Sequence, residues 1–127
     1  ADFHVRHTVY YDVGSEQRIR MLSAAGVTMG YMQEHSFGPV LFREECRFLR
    51  EVRIEEPIDV ELRITSLSRD FRKFAFQHGF LRGEDVCAVV RVEGAWFNAA
   101  TRKVFVPPQV LIDVLDRTPR TEDFEWI

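Results

Sequence analysis

From about Thr8 to Ala25 the sequence carries a helical pattern: Tyr10, Val13, Gln17 and Met21 share one face, which Val9 and Leu22 widen. The pattern predicts a helix with His7 or Thr8 as N-cap, Thr8 being the better acceptor chemically. Gly26 supplies a C-cap. Gly14 and Ser15 weaken such a helix intrinsically, which predicts close approach to something packed against it. A second short helix is expected within Val27 to Glu34, and His35-Ser36-Phe37-Gly38-Pro39 reads as a loop.

After Pro39 the period changes to 2. Val40, Phe42, Cys46 and Phe48 alternate with Arg43, Glu45 and Arg47, and Glu44 falls on the apolar side. Ile58, Val60, Leu62 and Ile64 then alternate with Asp59, Glu61, Arg63 and Thr65. Phe74, Phe76 and Phe80 share a face with His78, and the turn Arg82-Gly83-Glu84-Asp85 leads into Val86, Ala88, Val90, Val92 and Trp96. A turn at Asn98 to Arg102 introduces a short strand at Val104 to Val106, Pro107-Pro108 ends it, and Val110 to Arg117 reads as a closing helix. Strands joined by short turns are expected to be antiparallel neighbours. Their apolar faces need a cover, and the long helix is the element available. The expectation is one α+β domain over residues 1–127, with Phe42, Phe48, Val60, Leu62, Phe76, Val90 and Trp96 facing the helix.

Composition narrows the function classes. A chain of 127 residues, 46% hydrophobic and with 11 Phe, carries too much apolar material for a disordered segment. A net charge of −3 offers no global positive field for nucleic acid. No apolar run approaches the roughly 18 residues of a membrane span, so no membrane partner is expected. Cys46 and Cys87 lie in strand-like segments and are read as buried free thiols of a reducing, cytoplasmic compartment. The four His and two Cys have no metal-ligand spacing, and neither a Gly-rich phosphate loop nor a Gly-x-Ser-x-Gly elbow is present. Neither metal nor cofactor is expected.

None of this names an activity. The run Asp2-Phe3-His4-Val5-Arg6-His7-Thr8-Val9-Tyr10-Tyr11-Asp12, however, resembles the signature at the central helix of hotdog-fold acyl-CoA thioesterases of the 4-hydroxybenzoyl-CoA thioesterase-like family, Asp-x-x-Gly-His-Val-Asn-Asn-x-x-Tyr. His4, Val5 and Tyr10 match in register, Arg6 and His7 replace the paired Asn, and Phe3 replaces the Gly. Arg43-Glu44-Glu45 with Phe48, Pro57-Ile58-Asp59-Val60, and Arg102 to Pro108 resemble the family's later strands. The resemblance implies the hotdog fold, an antiparallel β-sheet wrapped around a long central α-helix. It also implies acyl-CoA substrates, the acyl part entering between helix and sheet, and a homodimer or dimer of dimers with sites at subunit interfaces. The family's first strand has no counterpart in this sequence. Its catalytic carboxylate falls four residues before the His, at a position ahead of Ala1. Either the sequence is a shortened form, or Asp2 takes over from two residues away.

The chemistry suits such a motif. Thioester hydrolysis needs a water or a carboxylate at the carbonyl carbon and donors for the oxyanion that forms. Helix N-terminal N–H groups are unpaired and carry positive partial charge, and an acid just before the helix supplies the rest. The catalytic candidates are therefore Asp2, His4 and His7, and the substrate-binding candidates Arg6, Tyr10 and Glu44. Each has a plainer reading: Asp2 as a terminal acid, His4 as packing at the helix start, His7 as a cap, Arg6 as a solvated cation and Tyr10 as core. Glu44 is the odd one, because a carboxylate on an apolar face is costly unless paired or wet. His78 reads as a satisfied core histidine, and the phenylalanine-rich strands weakly favour an apolar or aromatic acyl group. Two other readings stand beside an acyl-CoA thioesterase: a non-enzymatic hotdog domain binding acyl-CoA or a lipid-like ligand, and an enoyl-thioester hydratase or dehydratase.

Overall fold

The computed structural model describes residues 7–53 and 55–127. Helix α1 (His7–Ala24) and helix α2 (Met29–Glu34) come first. Strands β1 (Phe37–Phe48), β2 (Asp59–Leu67), β3 (Lys73–Arg82), β4 (Asp85–Asn98) and β5 (Lys103–Val104) follow, then helix α3 (Gln109–Arg117) and strand β6 (Arg120–Trp126). The sheet runs β1-β4-β3-β2-β6, with β5 beside β4. α1 lies across its inner face.

Local chemistry sets the joints. α1 ends where Gly26 adopts φ +88°, and the N–H groups of Gly26 and Val27 close back onto the carbonyls of Ser23 and Leu22. Thr28 then caps α2, its hydroxyl oxygen accepting from the Tyr31 N–H. α1 already includes His7, so neither His7 nor Thr8 is its N-cap, and the residue before it lies outside the described residues.

Four expectations about the strands need correction. β1 begins at Phe37, so Phe37 to Pro39 are strand; Pro39 is tolerated because β1 is at the sheet edge. β1 pairs with β4 rather than with the strand that follows it. The last residues, where no strand was expected, form β6, which pairs parallel with β2. The short fifth strand covers Lys103–Val104 instead of Val104 to Val106.

The core lies between α1 and the inner face, closed at one end by Leu111, Val114 and Leu115 of α3. Phe76, Val90 and Trp96 are buried as expected, while Val60 and Leu62 are half-buried. Phe42 and Phe48 are not core: they are 61% and 46% exposed. β1 lies beyond most of the cover α1 gives. A bulge between Leu41 and Arg43 also leaves Phe42 without a partner on β4. Cys87 is buried, Cys46 half-buried, and both are free thiols.

Candidate active site at the start of the central helix

Asp2, His4 and Arg6 lie outside the described residues. His7 is the first residue of α1, so the motif runs directly into the helix, whose first N–H groups have no intrahelical partner. Tyr10, one turn in, is buried at 4% exposure and meets Phe48 and Phe80 edge-on at 5.4 and 5.0 Å between ring centroids. Burial pushes its hydroxyl pKa up. Tyr11 sits on the flank towards β1. Burial and the nearby Cys46, Glu44 and Glu45 raise its hydroxyl, partly offset by a hydrogen bond from the Cys46 backbone. Burial lifts the Cys46 thiol to about 11, so it is protonated at neutral pH and offers no thiolate nucleophile.

Glu44 falls on the inner face of β1, opposite Val92, as its alternation predicted. It is 3.9 Å from the Arg18 guanidinium of α1, whose side chain is 12% exposed. Arg18 in turn donates from Nη1 to Nε2 of His78 at 2.7 Å. Nδ1 of His78 lies 2.7 Å from Gln17 Oε1, and Gln17 Nε2 donates to the Val60 carbonyl at 2.8 Å. Burial, then the Arg18 charge, press the His78 imidazole down to about 3, so it is neutral. Burial lowers the Arg18 pKa and Glu44 opposes that shift. His78 is thus a satisfied core histidine. Of the partners that satisfy it, Gln17 was placed on the inward helix face but not matched to His78, and Arg18 was not singled out from the sequence. The close approach expected at Gly14 is to this ring: a Cβ there would sit 3.0 Å from His78 Cδ2.

Of the six candidates, Tyr10 and Glu44 have described side chains, and these two lie apart. Tyr10 belongs to the core and Glu44 to the α1–β1 flank, while the acid and histidines lead into the helix start. On the other flank, an open groove of about 640 Å³ runs between α1, β2 and α3, lined by Met21, Ala25, Leu62, Val114 and Pro119. Among the described residues no group of His, Cys, Asp or Glu is arranged to hold a metal ion, and no helix is long and apolar enough to cross a membrane.

A long helix across a sheet of this order defines a hotdog fold, and solved structures share it. A hypothetical protein from Staphylococcus aureus in complex with CoA matches with a TM-score of 0.81 at 14% identity, over 95% of this chain and 78% of that one. A 1,4-dihydroxy-2-naphthoyl-CoA thioesterase from Synechocystis matches with a TM-score of 0.79 at 16% identity, over 91% and 85%. A hypothetical protein from Aquifex aeolicus matches with a TM-score of 0.78 at 20% identity, over 89% and 86%. Among curated proteins, none matches by sequence. The chain belongs to the thioesterase-like superfamily, whose model matches residues 1–115.

Proposed function

We propose that this protein is an acyl-CoA thioesterase, hydrolysing a CoA thioester to the free acid and CoA. The observation that carries the reading is the superfamily match over residues 1–115 together with a helix-start motif that leads straight into α1. Structural neighbours that include a CoA complex and a thioesterase support it. In this reading the N–H groups at the start of α1 receive the thioester oxygen as it gains charge, and Asp2 activates the attacking water or attacks the carbonyl carbon itself. His4 and His7 position the carbonyl or the water, and Arg6 meets a phosphate or carboxylate of the substrate. The CoA thiolate leaves and is protonated from solvent. Tyr10 and Glu44 act at the edges of this site, Tyr10 through its hydroxyl towards the acyl group and Glu44 at the α1–β1 flank. The free thiols Cys46 and Cys87 favour a reducing, cytoplasmic setting.

The test is turnover of a panel of short, long and aromatic acyl-CoA thioesters, followed by release of the thiol. Asp2→Asn is expected to lower kcat by about 10²–10⁴-fold with binding retained. If Asp2→Asn turns over at the wild-type rate, Asp2 is not the working acid and Glu44→Gln is the next variant to measure. Binding of acyl-CoA without thiol release from any member of the panel would instead select the non-enzymatic reading.

A further inference from the structure

We propose that Gln17, Arg18 and His78 are positioning residues that fix the pose of α1 on the sheet, and that Glu44 ties this pose to the edge strand β1. The catalytic part of this proposal rests on the thioesterase reading; the structural part does not.

The hydrogen-bond directions are settled by chemistry. A guanidinium only donates, so Nε2 of His78 is the acceptor for Arg18 Nη1 at 2.7 Å, and the proton of the neutral ring sits on Nδ1. Nδ1–H therefore donates to Gln17 Oε1 at 2.7 Å, which leaves the amide nitrogen of Gln17 to donate to the Val60 carbonyl at 2.8 Å. The chain runs from Arg18 through His78 and Gln17 to β2, and the ion pair with Glu44 at 3.9 Å extends it to β1. It is anchored on three strands, β2, β3 and β1, beneath one helix.

Its geometry constrains α1 in two ways. Consecutive residues point about 100° apart around a helix, so Gln17 and Arg18 grip the two nitrogens of one ring from either side. Rotating α1 in either direction lengthens one bond, and sliding it by a single residue, about 1.5 Å, breaks both. Gly14 lets the helix settle onto the ring, with His78 Cδ2 only 3.0 Å from where a Cβ would be. The ring itself is 0% exposed on a central strand and cannot move aside. Fully satisfied polar chains of this kind are well suited to setting register, whereas apolar packing tolerates small slips. Gly14 is about 10 Å along the helix from His7, so a helix set wrongly here is set wrongly at its start.

Arg18→Met tests the idea, because it keeps the side chain's bulk at the half-open flank while removing the donor. Imidazole ¹⁵N spectra should show His78 as the Nδ1–H tautomer in the wild type and as a mixture in Arg18→Met. Amide exchange in the first two turns of α1 should quicken, with the melting temperature nearly unchanged. With a thioester that the wild type hydrolyses, kcat should fall about ten- to a hundredfold while KM stays nearly constant, as misplacement by about an ångström predicts. Arg18→Lys, which keeps a donor, should recover part of the loss. An unchanged His78 tautomer together with unchanged exchange at the helix start would overturn the proposal, as would a kcat loss that follows the melting temperature across variants. Should the wild type hydrolyse no thioester, the thioesterase reading falls, and the tautomer and exchange measurements still decide this proposal.

Discussion

His78 enters the folded protein without its proton, held down to about 3 by burial and Arg18 against 6.5 in an unfolded chain. Above pH 6.5 both states are neutral there and the histidine imposes no pH dependence. As pH falls below 6.5 the unfolded chain takes up a proton that the folded one refuses, so stability drops by about 1.4 kcal/mol per pH unit until roughly pH 3. Between pH 6.5 and 4.5 the loss is expected to reach about 2 kcal/mol. Glu56, Asp70 and Asp123 also have lowered pKa values, but from the carboxylate range, so their losses begin at more acid pH. Urea midpoints measured across pH 7 to 4.5 should therefore fall in the wild type and fall much less in His78→Phe; equal slopes would remove His78 as the cause. At this scale two residues were legible in advance. A histidine among phenylalanines and a glycine inside a helix each asked for a special contact, and the two proved to be one contact. Arg18 gave no such signal, because an arginine on a helix is an ordinary surface residue until the ring beside it is located, and Gln17, although on the inward face, carried no sign of what it would bond.

The elements divide by how local their causes are. β2, β3 and β4 follow their alternation, because β2 is joined to β3 and β3 to β4 by short turns, so that face and register are decided nearby. β1 carries the same alternation and yet exposes Val40, Leu41, Phe42, Phe48 and Leu49 around its length. Periodicity says which residues share a face; the order of strands decides whether that face is covered. β6 was illegible for a different reason: Arg120 to Trp126 is mostly charged or half-buried and holds its place by stacking, Arg120 lying over Phe124 at 4.4 Å and over Trp126 at 5.1 Å. The pairing of β1 depends on one glycine. A Cβ at Gly94 would overlap the Val40 carbonyl oxygen and the Phe74 ring, beside the bulge that starts at Leu41. Both obstacles are fixed, so Gly94→Ala is expected to cost about 2 kcal/mol or more and to loosen the β1 amides first, as overpacking does in a rigid interior. Hydrogen exchange that quickens uniformly across the sheet would place the damage elsewhere.

At the scale of the whole molecule, the sheet of the described residues ends along one long side in β1. Among the described residues β1 is a twelve-residue edge strand with a cluster of exposed apolar side chains, a combination that invites another chain. A homodimer, or a dimer of dimers, joined along β1 is the expected assembly, with Glu44 and the α1–β1 flank brought to the subunit boundary. Light scattering should give at least twice the mass of one chain at micromolar concentration, and Leu41→Lys with Phe48→Lys should return it to a monomer; a wild-type monomer under those conditions would count against the arrangement. The strand order also has a kinetic consequence. The centre, β2 to β4, closes from neighbours in the chain, whereas β1 must find β4 and β6 must find β2 across long intervening segments. Short closures come first and distant ones late. The surface through which two chains would join is thus among the last parts of each chain to exist, so association follows folding instead of guiding it, and dilution should slow the recovery of assembled protein without slowing the closing of the sheet's centre.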